Sequence, residues 1–243
     1  MLEITVNSKS YSGADGDPAS AVLADISLKL SPGETVVLLG ASGVGKTTLL
    51  NIIAGIDEDF EGHCVQSAGN TDVSPCVGYI FQEPRLLPWL TVRQNLALVL
   101  ENNDPTDPRI SAALDHMNLA DAEGRLANRL SLGMARRVAL ARALIIEPDL
   151  LLLDEPLSSL DEATGARLRE HLSVLFDERS CASLLVTHNV DEAVCLGDRI
   201  VMLGGKPAGI ADEIQLSRPR PDRDAEWRST VVDQVREKLA FEE

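Results

Sequence analysis

The chain has no long apolar stretch. Its longest unbroken run, Leu96 to Leu100, is five residues. A membrane-crossing helix needs about 20, so the chain is read as crossing no bilayer. Met1 to Gly13 hold no apolar segment flanked by basic residues, and no secretory signal is expected. Basic residues are scarce: 22 Lys and Arg against 38 Asp and Glu give a net charge of −16. So acidic a body repels phosphate backbones at long range, which argues against a general nucleic-acid coat. The four cysteines, Cys64, Cys76, Cys181 and Cys195, form no CxxC pair, and the four histidines are scattered. A zinc site is therefore not expected, and free cytosolic thiols are the preferred reading. There is no internal repeat and no long low-complexity tract.

The 243 residues suffice for one large domain or two small ones, and 44% of them are hydrophobic, enough for a sizeable core. Short apolar runs flanked by turn residues read as strands at Ile26 to Leu30, Thr35 to Leu39, Val77 to Phe81, Leu150 to Leu153, Ser183 to Thr187 and Arg199 to Leu203. Helical patterns follow at Lys46 to Ala54 and at Ala163 to Glu178, the latter with Asp161 placed to cap it. Strand, helix, strand in this order points to an α/β fold with a mostly parallel sheet. From Thr91 to Leu144 the pattern is helices and loops. It starts with Thr91 and Gln94 in the spacing of a capping box, and Asn102 to Pro108 reads as a loop. The expected layout is an α/β core at about 1–88 and 147–210, a helical insert at about 89–146 and a tail at about 211–243. The tail is read as an extended linker and a short helix.

Gly40-Ala41-Ser42-Gly43-Val44-Gly45-Lys46-Thr47 has the GxxxxGK[ST] spacing, directly after one strand and opening one helix. Glycines let backbone N–H groups converge on phosphate oxygens, and the helix N-terminus adds partial positive charge. Lys46 can reach the outer phosphates, and the Thr47 hydroxyl can coordinate Mg²⁺. Leu150 to Leu153 run into Asp154-Glu155-Pro156. An acid at that strand tip can hold Mg²⁺, which leaves Glu155 to orient and deprotonate a water. Two adjacent acids at a buried strand end are costly without a cation.

These motifs, in this order and spacing, resemble the nucleotide-binding subunit of an ABC transporter over about Leu2 to Gly205. That likeness implies a P-loop ATPase core with an N-terminal antiparallel β portion, and it supplies further residues. Gln82 in Tyr79-Ile-Phe-Gln-Glu-Pro is similar to the family's Q-loop, which also adds a metal contact. Leu130-Ser131-Leu132-Gly133-Met134 resembles its signature. Ser158-Ser-Leu-Asp161 resembles its D-loop, and His188 stands at the switch histidine's position. Tyr11 is either the adenine-stacking aromatic of the family or an ordinary surface tyrosine; aromatics are few, four Phe, two Trp and two Tyr.

The resemblance implies ATP and Mg²⁺ held between two such subunits facing head to tail, read as a homodimer. Each site would take Gly40 to Thr48, Gln82, Asp154, Glu155 and His188 from one chain, and Ser131, Gly133 and Asp161 from the other. It also implies membrane permease subunits, indirectly a substrate-binding protein, and a place on the cytoplasmic face of the membrane. The signature departs from LSGGQ at Leu132 and Met134. Leu132 is tolerable at helical φ and strained at positive φ.

Leu86, Leu87 and Trp89 fit either a permease pocket or a locally packed loop. The stretch Phe81 to Trp89 is also similar to importers of nitrate, sulfonates and taurine. Behind the signature, Met134, Val138, Ala141 and Ile145 form one apolar stripe, and Arg136, Arg137 and Arg142 lie off it, as a solvated basic face or an interface. An exporter or lipid-transport ATPase is the nearest alternative. A DNA-repair ATPase would need a coiled-coil insertion between Lys46 and Leu130, a translation ATPase two cassettes, and a P-loop kinase would not need Ser131, Asp161 or His188. The charge is uneven: 125–146 holds five arginines and no acid, so the signature region is read as locally suited to polyphosphate.

Overall fold

The computed structural model describes residues 2–12, 20–66, 75–178 and 181–240. Nine strands and seven α-helices are found among them. A six-stranded sheet contains β3 (Thr35–Leu39), β5 (Val77–Ile80), β6 (Leu150–Asp154), β7 (Ala182–Thr187), β8 (Arg199–Gly204) and β9 (Gly209–Gln215). Its order is β5-β6-β7-β3-β8-β9, and only β9 runs antiparallel to its neighbour. A second sheet, order β2-β1-β4, is antiparallel throughout: β1 (Leu2–Tyr11), β2 (Ser20–Leu30) and β4 (Glu61–Gln66).

Strand alternation decides which core each residue joins. Val36 and Leu38 of β3 face α1 (Lys46–Ile53) and the antiparallel sheet, where Leu50, Ile53, Ile4 and Leu28 are buried. Val37 and Leu39 face the opposite way, into a core built by the remaining helices. Strands covered on both faces cannot alternate polar with apolar, which is why β3, β6 and β7 are buried along their whole length. In β1 and β2 only one face is covered, and buried Leu2, Ile4 and Val6 alternate with less buried residues. Each fully buried Leu or Ile contributes about 1.5–3 kcal/mol.

Between β5 and β6 lie only helices and turns among the described residues: α2 (Val92–Ala97), α3 (Pro108–His116), two single 3-10 turns and α4 (Leu132–Leu144). α5 (Glu162–Glu178) follows β6, and α6 (Val190–Leu196) follows β7. Thr91 forms the capping box with Gln94, and Asp161 accepts from the Thr164 N–H at 3.0 Å. Asn95 is fully buried. It accepts from the Leu87 N–H at 2.8 Å and donates to the Leu87 and Thr91 carbonyls, fixing the 87–90 turn.

The structure departs from the sequence reading in several places. The strand read as Ile26 to Leu30 begins at Ser20, and the pattern of residues placed none of β1, β4 and α6. β4 is an edge strand of mixed polar residues with no buried face to impose alternation. Residues 211–215, read as tail, belong to β9 and pair with β8. The expected short terminal helix is α7 (Ala225–Ala240), 16 residues long, held by buried Val231, Val232 and Val235; residues 241–243 of the tail lie outside the described residues. α4 is buried on more than one stripe, since Ala139, Leu140, Ala143 and Leu144 are buried beside Val138 and Ala141.

Candidate active site

The 40–47 loop leaves the C-terminal end of β3, and α1 starts at Lys46. Gly45, the N-cap, has φ of 114°, and a Cβ there would lie 2.6 Å from Leu23 Cδ2. Backbone conformation and close approach both demand glycine. The loop borders a cavity of about 850 Å³ with His188 and the 204–208 turn on its walls. Lys46 is buried, and its Nζ donates to the Gly40 and Ala41 carbonyls at 2.8 Å each. Burial lowers the pKa of this ammonium, while Glu155 and Asp154 pull it up.

Asp154 ends β6, the strand next but one to β3 in the sheet. Its Oδ2 accepts from Thr47 Oγ1 at 2.9 Å. Burial raises its pKa, and the Thr47 hydrogen bond opposes the rise. Thr47 and Asp154 thus present hard oxygen donors side by side, and the buried carboxylate has only a neutral hydroxyl as its hydrogen-bonded partner among the described residues. Donor type and electrostatics both suit a small divalent cation.

Glu155 follows in the left-handed region, φ 45°, with its N–H donating to the Val186 carbonyl at 2.9 Å. Its carboxylate is the meeting point of two side chains. Gln82 Nε2 donates to Oε2 at 3.3 Å, and His188 Nδ1 lies 3.0 Å from Oε1. Gln82 comes from the end of β5 and His188 from the end of β7, so three neighbouring strands aim these groups at one point. A non-glycine residue persists at such a φ where the surrounding contacts over-determine it.

Tyr11 is at the end of β1. Its hydroxyl donates to Asp57 Oδ2 at 3.1 Å and lies 3.4 Å from Thr48 Oγ1, and Lys9 Nζ sits 4.6 Å from its ring centre. The ring is therefore beside the phosphate loop and partly exposed. Ser131 caps α4, its Oγ accepting from the Met134 N–H at 3.3 Å. Leu132 is helical and free of the positive φ that would strain it. A Cβ on Gly133 would meet Thr164 Cγ2 at 2.7 Å, so α4 and α5 touch there. Among the described residues, Ser131 and Gly133 line neither the phosphate-loop cavity nor the one beside it, whereas Asp161 lines that second cavity together with Gln82, Glu155 and His188.

The ABC transporter family model matches residues 23–158. Aliphatic sulfonates import ATP-binding protein SsuB 2 of Burkholderia cenocepacia (strain HI2424) is 43% identical over 240 residues, covering 96% of this chain and 86% of that protein. SsuB 1 of Xanthomonas axonopodis pv. citri (strain 306) is 45% identical over 224 residues, covering 90% and 88%. The dimeric, post-hydrolysis ATP-binding cassette MJ0796 bound to ADP and Pi is similar in structure, with TM-score 0.77 and 29% identity over 90% of this chain and 100% of that one. The chain belongs to the ABC transporter family. It is an ATP-binding subunit of that family and an ATPase.

In this cassette the arginines behind Ser131 are neither a solvated face nor an open interface. Arg137 Nη1 donates to the Met117 carbonyl at 2.7 Å. Arg142 donates to the Pro84 and Arg85 carbonyls, both at 3.1 Å. Arg136 is buried and donates to the Pro156 carbonyl at 2.7 Å. Three of the five charges in 125–146 are thus committed inside the chain, which corrects the reading of that segment as a ready polyphosphate surface. Leu86 and Leu87 are half-buried, whereas Trp89 is 68% exposed.

Sequence reading missed Glu192. It is buried on α6 and accepts from Thr187 Oγ1 at 2.7 Å, while Thr187 Oγ1 also accepts from the Asn189 N–H. The two neighbours of His188 are therefore pinned on one hydroxyl. The available signal was Asn189 three residues before Glu192, the spacing of a helix start. Among the described residues no group of three His, Cys, Asp or Glu side chains could hold a metal ion, and no helix is long and apolar enough to cross a membrane.

Proposed function

We propose that this ATPase powers an importer of small sulfonates, as the ATP-binding half of a membrane complex. The observation that carries the site assignment is the convergence of Gln82 and His188 on the Glu155 carboxylate, next to the Thr47–Asp154 pair. The import ATP-binding proteins named above support the cargo class, because the chain matches them along almost all of its length.

The 40–48 loop and Lys46 would bind the ATP phosphates, with Lys46 turning from its two carbonyls to the outer phosphate oxygens. Thr47 and Asp154, with Gln82, would hold Mg²⁺, which when bound neutralises phosphate charge. Glu155 orients a water and takes its proton. His188 holds the Glu155 carboxylate through Nδ1, and its Nε2 is left for the γ-phosphate side. Tyr11 offers a ring for adenine. Little covalent work is required, so positioning and charge stabilisation carry the catalysis.

Among the described residues, Ser131 and Gly133 line neither the phosphate-loop cavity nor the one that Asp161 shares with Gln82, Glu155 and His188. That fits the head-to-tail arrangement in which the start of α4 serves the nucleotide of a second, identical subunit, with Asp161 beside it, and dimeric cassettes of the MJ0796 kind support it. The α/β core is proposed to span about 1–88 and 147–215, with 89–146 as the helical insert that the permease docks against on the cytoplasmic face. A substrate-binding protein would deliver the cargo.

Cells lacking this chain should fail to accumulate a radiolabelled short-chain alkanesulfonate and regain uptake with the wild-type chain. Unchanged accumulation would sink the cargo assignment, and lost efflux instead of lost uptake would point to export. At the docking loop, Trp89→Ala should lower recovery of the permease complex about tenfold, since an exposed aromatic anchor is worth about 1–2 kcal/mol, and leave basal hydrolysis within about twofold. Equal loss of both would make Trp89 a packing residue.

A further inference from the structure

Arg136 is a buried cation without an ion pair among the described residues. Glu155 and Glu192 act on it only at longer range, no carboxylate among the described residues lies within salt-bridge reach of its guanidinium, and its Nε has no hydrogen-bond partner. Among the described residues every hydrogen-bond partner it has belongs to one turn. Nη1 donates to the Pro156 carbonyl at 2.7 Å and lies 3.5 Å from the Glu155 carbonyl, and Nη2 donates to Ser158 Oγ at 3.3 Å. Ser158 Oγ in turn donates to the Glu155 carbonyl at 3.0 Å. Burying a guanidinium against carbonyls and a hydroxyl costs more than burying an apolar side chain of the same shape. What the arrangement provides is a grip on the 155–158 turn, whose first residue, Glu155, sits at φ 45°.

Arg136 itself stands in the first turns of α4, a helix that begins at Leu132 and is capped by Ser131. The same rigid segment therefore carries Ser131 and Gly133 at its start and grips the Glu155 turn from within. We propose that Arg136 is a positioning residue: through it, engagement of α4 with one nucleotide sets the Glu155 carboxylate at the other. This rests on the two-subunit reading above, in which the Ser131 side of α4 serves the partner's ATP while Glu155 serves its own.

Mixed dimers, purified with two different affinity tags, separate the roles. The reference pairs a wild-type chain with a Glu155→Gln chain, leaving one working site. In the first test dimer, Arg136→Met is in one chain and Glu155→Gln in the other, so the working Glu155 has lost its Arg136. In the second, both substitutions are in one chain and its partner is wild type. The working Glu155 then keeps its Arg136, and only the α4 facing it has changed.

The expected result is a fall in kcat of about tenfold to a hundredfold in the first dimer, at nearly unchanged KM, from misplacement of the carboxylate. The second dimer should stay within about twofold of the reference. The Hill coefficient for ATP in the Arg136→Met homodimer should fall toward 1. Arg136→Lys, which keeps the charge and a single donor, should give an intermediate first dimer, and it carries the same comparison if Arg136→Met does not fold. Equal losses in both dimers, or a loss in the second alone, would overturn the proposal and leave Arg136 as a support of α4. A reference dimer whose wild-type site fails to hydrolyse its ATP even in a single turnover would overturn the site assignment together with it.

Discussion

Glu155→Gln is expected to lower ATP turnover by about 10²–10⁴-fold, the usual worth of a positioned general base, with nucleotide affinity nearly unchanged. The substitution keeps the shape of the side chain and touches none of the contacts of the 40–47 loop. The amide oxygen can still accept a hydrogen bond from Gln82 or His188, now joined to Glu155 at 3.3 and 3.0 Å. What is lost is the proton acceptor. Without turnover the ATP-bound dimer has no route to open, so gel filtration in ATP should show a persistent species of twice the monomer mass. Single-turnover hydrolysis at the wild-type rate would remove Glu155 from the role of base.

Lys46→Ala is expected to act one step earlier, on binding. Its ammonium is parked on the Gly40 and Ala41 carbonyls, inside the loop that would wrap the phosphates. A hydrogen bond from a charged donor contributes about 1.5–3 kcal/mol, so losing it should weaken ATP affinity about 10–100-fold. Calorimetric titration measures this directly. The fold should not suffer in proportion, because burial already works against this charge and lowers its pKa. A melting temperature equal to or above wild type, with affinity lost, is the expected pair of results. Affinity within about twofold of wild type would separate Lys46 from the phosphates.

The phosphate loop and the strand-end acids were legible in the sequence because their chemistry is local. Glycines, Lys46 and Thr47 sit within eight positions, and Asp154 ends an apolar run whose burial its neighbours dictate. The parallel strands were legible for the same reason. β1 and β4 were not, because their pairing joins Leu2 to Gln66 across a long stretch of chain and β4 lacks an apolar face. The arginines of α4 were misread because a charged residue on a helix says nothing of which carbonyl it will meet. Arg142 finds Pro84 and Arg85 far back along the chain, and Arg136 finds Pro156 twenty positions later. Glu192 is the same kind of case, a carboxylate whose burial follows only from how α6 packs on the sheet.

Those arginine ties give α4 the mechanics of a shaft. Its 13 residues make a rod about 20 Å long. Arg142 clamps one end to the turn that leads into Trp89, Arg137 grips the carbonyl end of the α3 region, and Arg136 engages the turn after Glu155. Hydrogen bonds to carbonyls have no side-chain partner that can rotate away, so each clamp holds position as well as contact. Under the docking proposed at Trp89, a displacement of that loop would pass through Arg142 along α4 to the Glu155 turn, with no need to deform the sheet between them.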